Sequence, residues 1–268
     1  MISESELAGT ASRRDLIHAL VRERDFVRVV DLSEHFGVSV VTIRSDLDML
    51  EQHGVVRRIR GGAIPAERAS IELHERPFEE VQIEAFEAKE RIALAAVDFI
   101  ESGMSVLLDV GTTTAAVARE IVRRKVLTDV TVITNGLSIA LGLEAAIPRI
   151  QVVVTGGTLR PLQHSLVAPL ANAVLGSVRA DLAIIGCNGV DAQAGVTNIN
   201  LPEAELKSAM IRAASRVVVV ADSSKLGRVS LGLVAPLSGI DVLVTDVSAD
   251  KGILDEVGAV PGVRVVEV

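Results

Sequence analysis

Aromatic residues and cysteine are scarce in this chain. It contains no tryptophan, no tyrosine and five phenylalanines, the last of which is Phe99. A ligand held by the residues after Phe99 has no aromatic ring to stack on, so it must be recognised through hydrogen bonds and charge. The single cysteine, Cys187, cannot form an intrachain disulfide, which favours a cytoplasmic protein.

Long apolar runs are absent as well. No stretch of 18 apolar residues occurs, so we expect no membrane-spanning helix. The first residues are acidic and contain no apolar segment, so we expect no secretory signal. Hydrophobic residues make up 49% and charged residues 23% of the 268 positions, which is typical of a folded protein with one or two domains.

Basic charge is in deficit overall, because 27 Lys and Arg face 35 Asp and Glu. This net charge of −8 excludes a protein coated in basic surface but leaves room for a small DNA-reading module. The first 88 residues contain no lysine, so arginine supplies all of their Lys and Arg charge. Arginine suits bidentate contacts to phosphate and guanine, although a GC-rich genome would also favour its codons.

The N-terminal part has the pattern of a winged helix-turn-helix domain, which we place at residues 10–64 with the helix-turn-helix at about 27–46. One helix is expected from Ser12, a second over Val30–Phe36 and a third over about Val40–His53. Apolar residues recur on the third helix at 40, 43, 47 and 50, which leaves its other face polar. An alternating basic stretch closed by two glycines follows, as expected for a hairpin wing.

DNA recognition explains these parts, since the first turns of such a third helix meet base edges in the major groove while wing arginines neutralise phosphates. The predicted DNA contacts are Ser39, Val41, Thr42, Arg44 and Ser45 on the helix, and Arg57, Arg58 and Arg60 on the wing. A helical module for dimerisation or protein binding is the alternative.

The chain here resembles the helix-turn-helix domain of the DeoR family of bacterial transcriptional regulators. The resemblance lies in the segments 32–39, 42–47 and 50–51, the arginine pair 57–58 and the terminal Gly-Gly-Ala at 61–63. The family usually has a second arginine in the recognition helix, and this chain has Ser45 instead.

After a charged connector at residues 65–85, the pattern of residues 86–268 changes to strands that alternate with helices. Such alternation predicts an α/β fold with an open, mostly parallel sheet and helices on both faces. We expect strands at 104–109, 130–134, 150–155, 181–186, 216–221, 241–245 and 263–267.

Polar, glycine-rich loops follow several of these strands, and ligands of parallel sheets bind outside the carboxyl ends of strands. The loop at 109–114 combines a glycine with three threonines before a helix, which is typical of an anion site. A capped helix without a ligand is the alternative. Four such loops without aromatic residues favour a phosphorylated sugar over a neutral sugar or a nucleobase.

The second part also resembles the sensor domain of the DeoR family, in the motifs at 89–93, 108–114, 134–136, 156–157, 203–207, 221–225 and 245–246. The resemblance implies a fold shared with sugar-phosphate isomerases and a phosphorylated sugar as effector. The candidate effector residues are Asp109, Gly111, Thr112, Thr113, Thr114, Asn135, Gly136, Gly157, Arg160, Lys207 and Lys225. The chain departs from the usual pattern at Val81, Gly136 and Ala168.

Three single residues have simpler interpretations. Lys207 could pair with Glu203 one helical turn away, and Cys187 after a strand is expected to be a small apolar filler. His164 is the only histidine of the second part, so we expect no histidine-based metal site, and we expect no cofactor.

The sequence therefore predicts a cytoplasmic repressor of a carbohydrate-metabolism operon, released from double-stranded operator DNA by a small phosphorylated sugar. A single helix-turn-helix domain buries little surface against DNA, so we expect a homo-oligomer, either a dimer or a tetramer. The rival hypothesis is a sugar-phosphate isomerase-like enzyme with an accessory N-terminal domain, which would use the carboxylates Asp109, Asp191, Glu203 and Glu205.

Overall fold

The computed structural model describes residues 13–22, 27–53, 55–59, 62–65 and 75–268, without the side chains of residues 52, 57, 59, 64 and 65. The chain divides into two compact units, Met1–His74 and Glu75–Val268. Each unit is described by itself below.

The first unit is a helix-turn-helix followed by a small antiparallel sheet. Residues 13–22 are helical (α1), and α2 (Val29–Phe36) and α3 (Val40–Gln52) follow. Gly37 ends α2 at φ 63°, a left-handed conformation that glycine adopts without steric cost. Strands β1 (Val27–Arg28), β2 (Val56–Ile59) and β3 (Gly62–Pro65) form a sheet in the order β1–β3–β2. The predicted helix-turn-helix and hairpin are confirmed.

A buried carboxylate fixes α1 against α3. Asp46 is only 2% exposed and accepts hydrogen bonds from Arg13 Nε (2.7 Å) and Arg14 Nε (2.8 Å). Ile43 and Leu47 on the same face of α3 are fully buried. Because these contacts hold one face of α3 inward, the opposite face is turned away from the core of the unit.

The second unit is built on a seven-stranded parallel sheet in the order β15–β14–β12–β9–β4–β5–β6. These strands are β4 (Ser105–Leu108), β5 (Val130–Thr134), β6 (Ile150–Val154), β9 (Ala180–Gly186), β12 (Ala214–Val220), β14 (Val242–Thr245) and β15 (Arg264–Glu267). All seven predicted strands are present, and every pairing among them is parallel. The predicted fold class is confirmed.

Helices cover both faces of this sheet. They are α4 (Phe78–Gln82), α5 (Phe86–Val97), α6 (Thr112–Arg123), α7 (Leu137–Leu143), α8 (Leu170–Ser177), α9 (Leu201–Ala213) and α10 (Lys251–Gly258). The apolar core lies in two layers, one with α5 to α7 and one with α8 to α10. Residues of β4 alternate between them, since Val106 and Leu108 belong to the first layer and Leu107 to the second. None of the helices described is long and apolar enough to cross a membrane.

Two small sheets were not expected from the sequence. One is the antiparallel hairpin β7 (Thr158–Arg160) and β8 (Ser165–Val167), and the other consists of β10 (Gly189–Asp191), β11 (Gly195–Asn198) and β13 (Gly232–Ala235). Their strands are three or four residues long, too short for a periodic pattern to identify.

The second half of the predicted connector differs from the expectation of a plain linker. Residues 75–85 belong to the second unit, where Phe78 is 5% exposed within the apolar layer of α5 to α7. Burial of this side chain removes apolar surface from water and holds the segment in place. Residues 66–74 lie outside the described residues.

Candidate functional site

The outward face of α3 carries the predicted base-reading residues. Val41 is 74% exposed, and Ser39, Arg44 and Ser45 are exposed as well. Ser39 caps the helix, because its Oγ accepts from the backbone N–H of Thr42 at 3.1 Å. The face that would enter a major groove therefore carries short side chains apart from Arg44. The guanidinium of Arg44 is the group on this face best suited to bidentate hydrogen bonds with guanine.

The structure describes the side chain of only one of the three predicted wing arginines, Arg58, and that side chain pairs with a carboxylate of α3. Arg58 forms an ion pair with Asp48 of α3, and its backbone N–H donates to Glu51 Oε1 at 2.7 Å. This ion pair is partly exposed, at 34% for the Arg58 side chain and 48% for that of Asp48, and the phosphate contact of Arg58 stays a prediction in which phosphate would compete with Asp48. The side chain of Arg57 and all of Arg60 lie outside the described residues.

The predicted effector residues gather at the point where the sheet topology reverses. From the adjacent strands β4 and β9, the chain proceeds outward in opposite directions, to β5 and β6 on one side and to β12, β14 and β15 on the other. Ligands of open α/β sheets bind at such a switch point. Asp109 follows β4 directly, and its Oδ2 accepts from the N–H of Gly186, the last residue of β9, at 3.1 Å.

A buried ion pair occupies this position. Lys207 of α9 contacts Asp109 Oδ2 and donates to the carbonyl of Gly186 at 3.1 Å, and the two side chains are 3% and 0% exposed. Burial raises the pKa of Asp109 to about 6, although Lys207 opposes that shift. The pKa of Lys207 is raised because Asp109 and Glu203 outweigh its desolvation. Both groups are therefore ionised at neutral pH, and the suggested pairing of Lys207 with Glu203 is not the one observed.

Helix α6 directs its N-terminus to the same place. Gly111 precedes the helix at φ 147° and has no side chain to cap it. An α-helix leaves the N–H groups of its first turn without intrahelical partners, here those of Thr112, Thr113 and Thr114. Thr114 uses its hydroxyl to bond the carbonyl of Gly111 (3.0 Å). The remaining donors suit an anion.

We call the space outside the carboxyl ends of β4, β5 and β9 the effector crevice, or simply the crevice. Two buried polar atoms there have no hydrogen-bond partner among the described residues. They are Asp109 Oδ1 and Asn135 Nδ2. Asn135 is otherwise fixed, because its Oδ1 accepts from the N–H of Val110 at 2.9 Å. An unsatisfied acceptor and an unsatisfied donor each cost about 1–3 kcal/mol when buried. A ligand hydroxyl, which can both donate and accept, fits such a pair.

Arg160 is engaged by two carboxylates. Its guanidinium contacts Glu75 and the buried Glu203, and Glu203 also accepts from Ser165 Oγ at 2.5 Å. Gly157, three residues earlier, has no room for a side chain, because a Cβ would lie 2.1 Å from the carbonyl oxygen of Val167. The sequence predicted Arg160 as an effector ligand but gave no sign of its partner Glu75, which is 85 positions away.

Lys89 is a functional candidate that the sequence analysis left out of the site. It lies on α5, is 3% exposed and donates from Nζ to the carbonyl of Val81 at 2.7 Å. Burial lowers its pKa, Asp222 opposes this shift and Lys225 adds to it. Lys89 therefore lies within electrostatic range of the predicted Lys225. Its only signal in the sequence was membership of the motif at 89–93.

Two other features carry no effector residue. Burial raises the pKa of Cys187 to about 12, so its thiol stays protonated, as expected of a filler rather than a nucleophile. A groove of about 360 Å³ between α8 and α9 is lined by Asn172, Arg179, Glu205 and Arg212 among others, and none of the predicted effector residues lies in it.

Comparison with known families decides the identity of the chain. The sequence model described as the DeoR C-terminal sensor domain matches residues 84–247, and the one described as the DeoR-like helix-turn-helix domain matches residues 13–69. The chain belongs to the DeoR family of transcriptional regulators. It is accordingly a DNA-binding regulator with an effector-sensing domain.

Similar proteins span nearly its whole length. The HTH-type transcriptional regulator GlpR of Haloferax volcanii is 37% identical and the match covers 96% of this chain and 97% of that one. The glycerol-3-phosphate regulon repressor of Escherichia coli is 29% identical, with 87% and 90% covered. Among solved structures, ribose 5-phosphate isomerase A from Methanocaldococcus jannaschii matches 51% of this chain and 52% of that one, at 21% identity and a TM-score of 0.38.

Proposed function

We propose that this regulator represses a carbohydrate-metabolism operon and leaves its operator when a phosphorylated sugar or related metabolite binds at the switch point of the sheet. The observation that carries the proposal is the buried Asp109–Lys207 pair beside the N-terminus of α6. A relative named for a glycerol-3-phosphate regulon supports the same class of effector.

The groups around this crevice favour an effector with two chemically different ends. Arg160, Lys89 and Lys225 supply positive charge, and the first turn of α6 supplies N–H donors, so these groups suit a phosphate. The unsatisfied atoms of Asp109 and Asn135 suit a hydroxyl. A phosphorylated polyol presents both kinds of group at once.

The first unit would read the operator with Ser39, Val41, Thr42, Arg44 and Ser45, and Arg57, Arg58 and Arg60 would neutralise phosphates. One helix-turn-helix domain makes few contacts with DNA, so we expect two or more copies of the chain to bind the operator together in the cytoplasm.

The rival enzyme hypothesis needs carboxylates that can exchange protons with a substrate. Glu203 is held by Arg160, Ser165 and Asn198, and Asp191 caps a turn by accepting from the N–H groups of residues 193 and 194. Glu205 accepts from Asn172, outside the effector crevice. These engagements favour binding without turnover, and we propose that the protein is not an enzyme.

The test is a measurement of DNA affinity with and without a panel of sugar phosphates and their unphosphorylated counterparts. A duplex selected by the full-length protein from a random pool serves as operator, and fluorescence anisotropy reports binding. We expect at least one phosphate to lower affinity tenfold or more while its unphosphorylated counterpart has no effect. No response to any member would refute the sensing proposal, and steady turnover of a member that is lost in Glu203→Gln would favour the enzyme.

A further inference from the structure

The chain segment that leaves the connector is held by the turn of the β7–β8 hairpin. We call the contacts between residues 75–79 and residues 160–164 the clasp. Gln163 Nε2 donates to the carbonyl of Arg76 at 2.5 Å, and the N–H of Phe78 donates to the carbonyl of Leu162 at 2.9 Å. Two further contacts complete the clasp. One is the ion pair Arg160–Glu75. In the other, His164 Nε2 lies 3.2 Å from Glu79 Oε1, a contact that is an ion pair only with a protonated imidazole.

The same hairpin is also attached to the loop of residues 135–137 at the effector crevice. The N–H of Leu166 donates to the carbonyl of Asn135 at 2.8 Å, and the N–H of Leu137 donates to the carbonyl of His164 at 2.9 Å. Gly157 packs directly against Val167 across the hairpin. A displacement of the hairpin therefore changes the crevice and the clasp together.

Arg160 bridges the two through its charge, because its guanidinium lies between Glu203 at the crevice and Glu75 at the clasp. We propose that Glu75 is an internal anion that occupies Arg160 in the unliganded protein, and that the phosphate of the effector displaces Glu75 and thereby opens the clasp. This inference rests on the proposed function, since it specifies how binding at that site is communicated to the connector.

Glu75 is the carboxylate that can be exchanged. Glu203 is 5% exposed at its side chain and also accepts from Ser165 Oγ and Asn198 Nδ2, so it is fixed by three partners. Within the described part of the chain, the Glu75 carboxylate accepts hydrogen bonds from Arg160 alone. A phosphate near −2 in charge offers arginine a stronger bidentate partner than a carboxylate does.

The direction of the effect follows from this competition. Glu75 bound to Arg160 keeps the clasp closed, which is the form that we assign to the repressor on its operator. Phosphate bound to Arg160 leaves Glu75 without its partner, so residues 75–79 are held by fewer contacts. Because binding linkage is reciprocal, removal of the Glu75 charge must also make phosphate binding tighter.

The experiment compares the full-length variants Glu75→Gln and Glu84→Gln. The control removes a carboxylate of the same segment that pairs with Arg76 instead of Arg160. Hydrogen exchange at the amide of Phe78 reports the clasp, and calorimetry with inorganic phosphate at constant ionic strength reports the anion site. Circular dichroism confirms that both variants are folded.

We expect Glu75→Gln, without any ligand, to raise exchange at Phe78 about three- to fivefold and to bind inorganic phosphate about three- to fivefold more tightly, with an operator affinity reduced by a similar factor. Glu84→Gln should match the wild type in all three. Phosphate should raise the same exchange in the wild type and add nothing in Glu75→Gln.

Identical behaviour of the two variants would overturn the inference, even if a sugar phosphate releases the wild-type protein from DNA. The reverse result is also informative. If no sugar phosphate releases the DNA while Glu75→Gln shows both raised exchange and tighter phosphate binding, the exchange at Arg160 stands and the sugar-sensing proposal fails.

Discussion

The buried Asp109–Lys207 pair gives the sharpest prediction about the energetics of the effector site. Replacement of Lys207 by Met keeps the volume of the side chain but removes the charge that faces Asp109. Breaking one partner of a buried pair costs about 3–5 kcal/mol, because the other charge is left in a poorly solvated place. The orphaned Asp109 can avoid part of this cost by binding a proton.

The pH dependence of this cost can be worked out from the two states. The pKa of Asp109 is about 6 in the folded wild type and 3.8 when unperturbed, so it is half protonated in the folded state at pH 6 and, above about pH 7, is ionised in both states and adds no slope. Loss of Lys207 moves the folded pKa further upward, and the folded variant then holds one proton more than the unfolded chain. Its free energy of unfolding falls by about 1.36 kcal/mol per pH unit. The difference from the wild type should widen by up to about 2.3 kcal/mol between pH 6 and pH 8.

Urea unfolding of wild type and Lys207→Met at pH 6, 7 and 8 measures this difference, because other titrating groups are common to both proteins. The double variant Asp109→Asn/Lys207→Met is the control, since it contains neither charge and its difference from the wild type should vary by only about 0.4 kcal/mol over this range. Parallel pH profiles of Lys207→Met and the wild type would refute the assignment of a charged, buried pair.

Four further predictions concern the two units. Arg44→Ala should relax sequence preference by about 1–3 kcal/mol at one base pair, measured with a set of point-substituted duplexes. Arg58→Ala should lower the salt slope of DNA binding by less than about one, because phosphate competes with Asp48 for its charge; an unchanged slope would show that it does not contact phosphate. Thr113→Val should weaken sugar-phosphate binding in calorimetry while anisotropy shows unchanged DNA affinity. Effector affinity should fall as pH drops through about 6 in the wild type, and the part of this fall that is due to Asp109 should vanish in Asp109→Asn, which separates it from titration of the phosphate itself.

The sheet was predictable because its strands are short apolar runs buried on both faces. The run Val217–Val220 is buried throughout and forms the last four residues of β12, a strand that lies between β9 and β14. The third helix was predictable for a related reason, since its apolar spacing matched the buried Ile43, Leu47 and Leu50.

The chemistry of the site was only partly predictable. Residue types at strand ends pointed to Asp109 and Lys207 individually, but their contact joins positions 98 apart and has no local pattern. Lys89 looks like an ordinary helix-surface lysine, and nothing in the local sequence reveals that it is buried or that its Nζ donates to the carbonyl of Val81. Arg160 looked available to a ligand because nothing near it in the sequence revealed Glu75.

The strength of the clasp limits how the regulator can switch. Moving a two-state protein from 1:99 to 99:1 requires about 5.5 kcal/mol of differential binding. A partly exposed ion pair such as Arg160–Glu75 supplies about 1 kcal/mol at most, so its exchange alone cannot empty an operator. The hydrogen bonds of Phe78 and Arg76 to the hairpin stabilise the closed form by about 1 kcal/mol each, so their loss opposes opening. Two protomers that open together double the contribution of the exchange at Arg160 to about 2 kcal/mol, and the other contacts of the effector must supply the rest. This is why Glu75→Gln is expected to mimic the effector only in part.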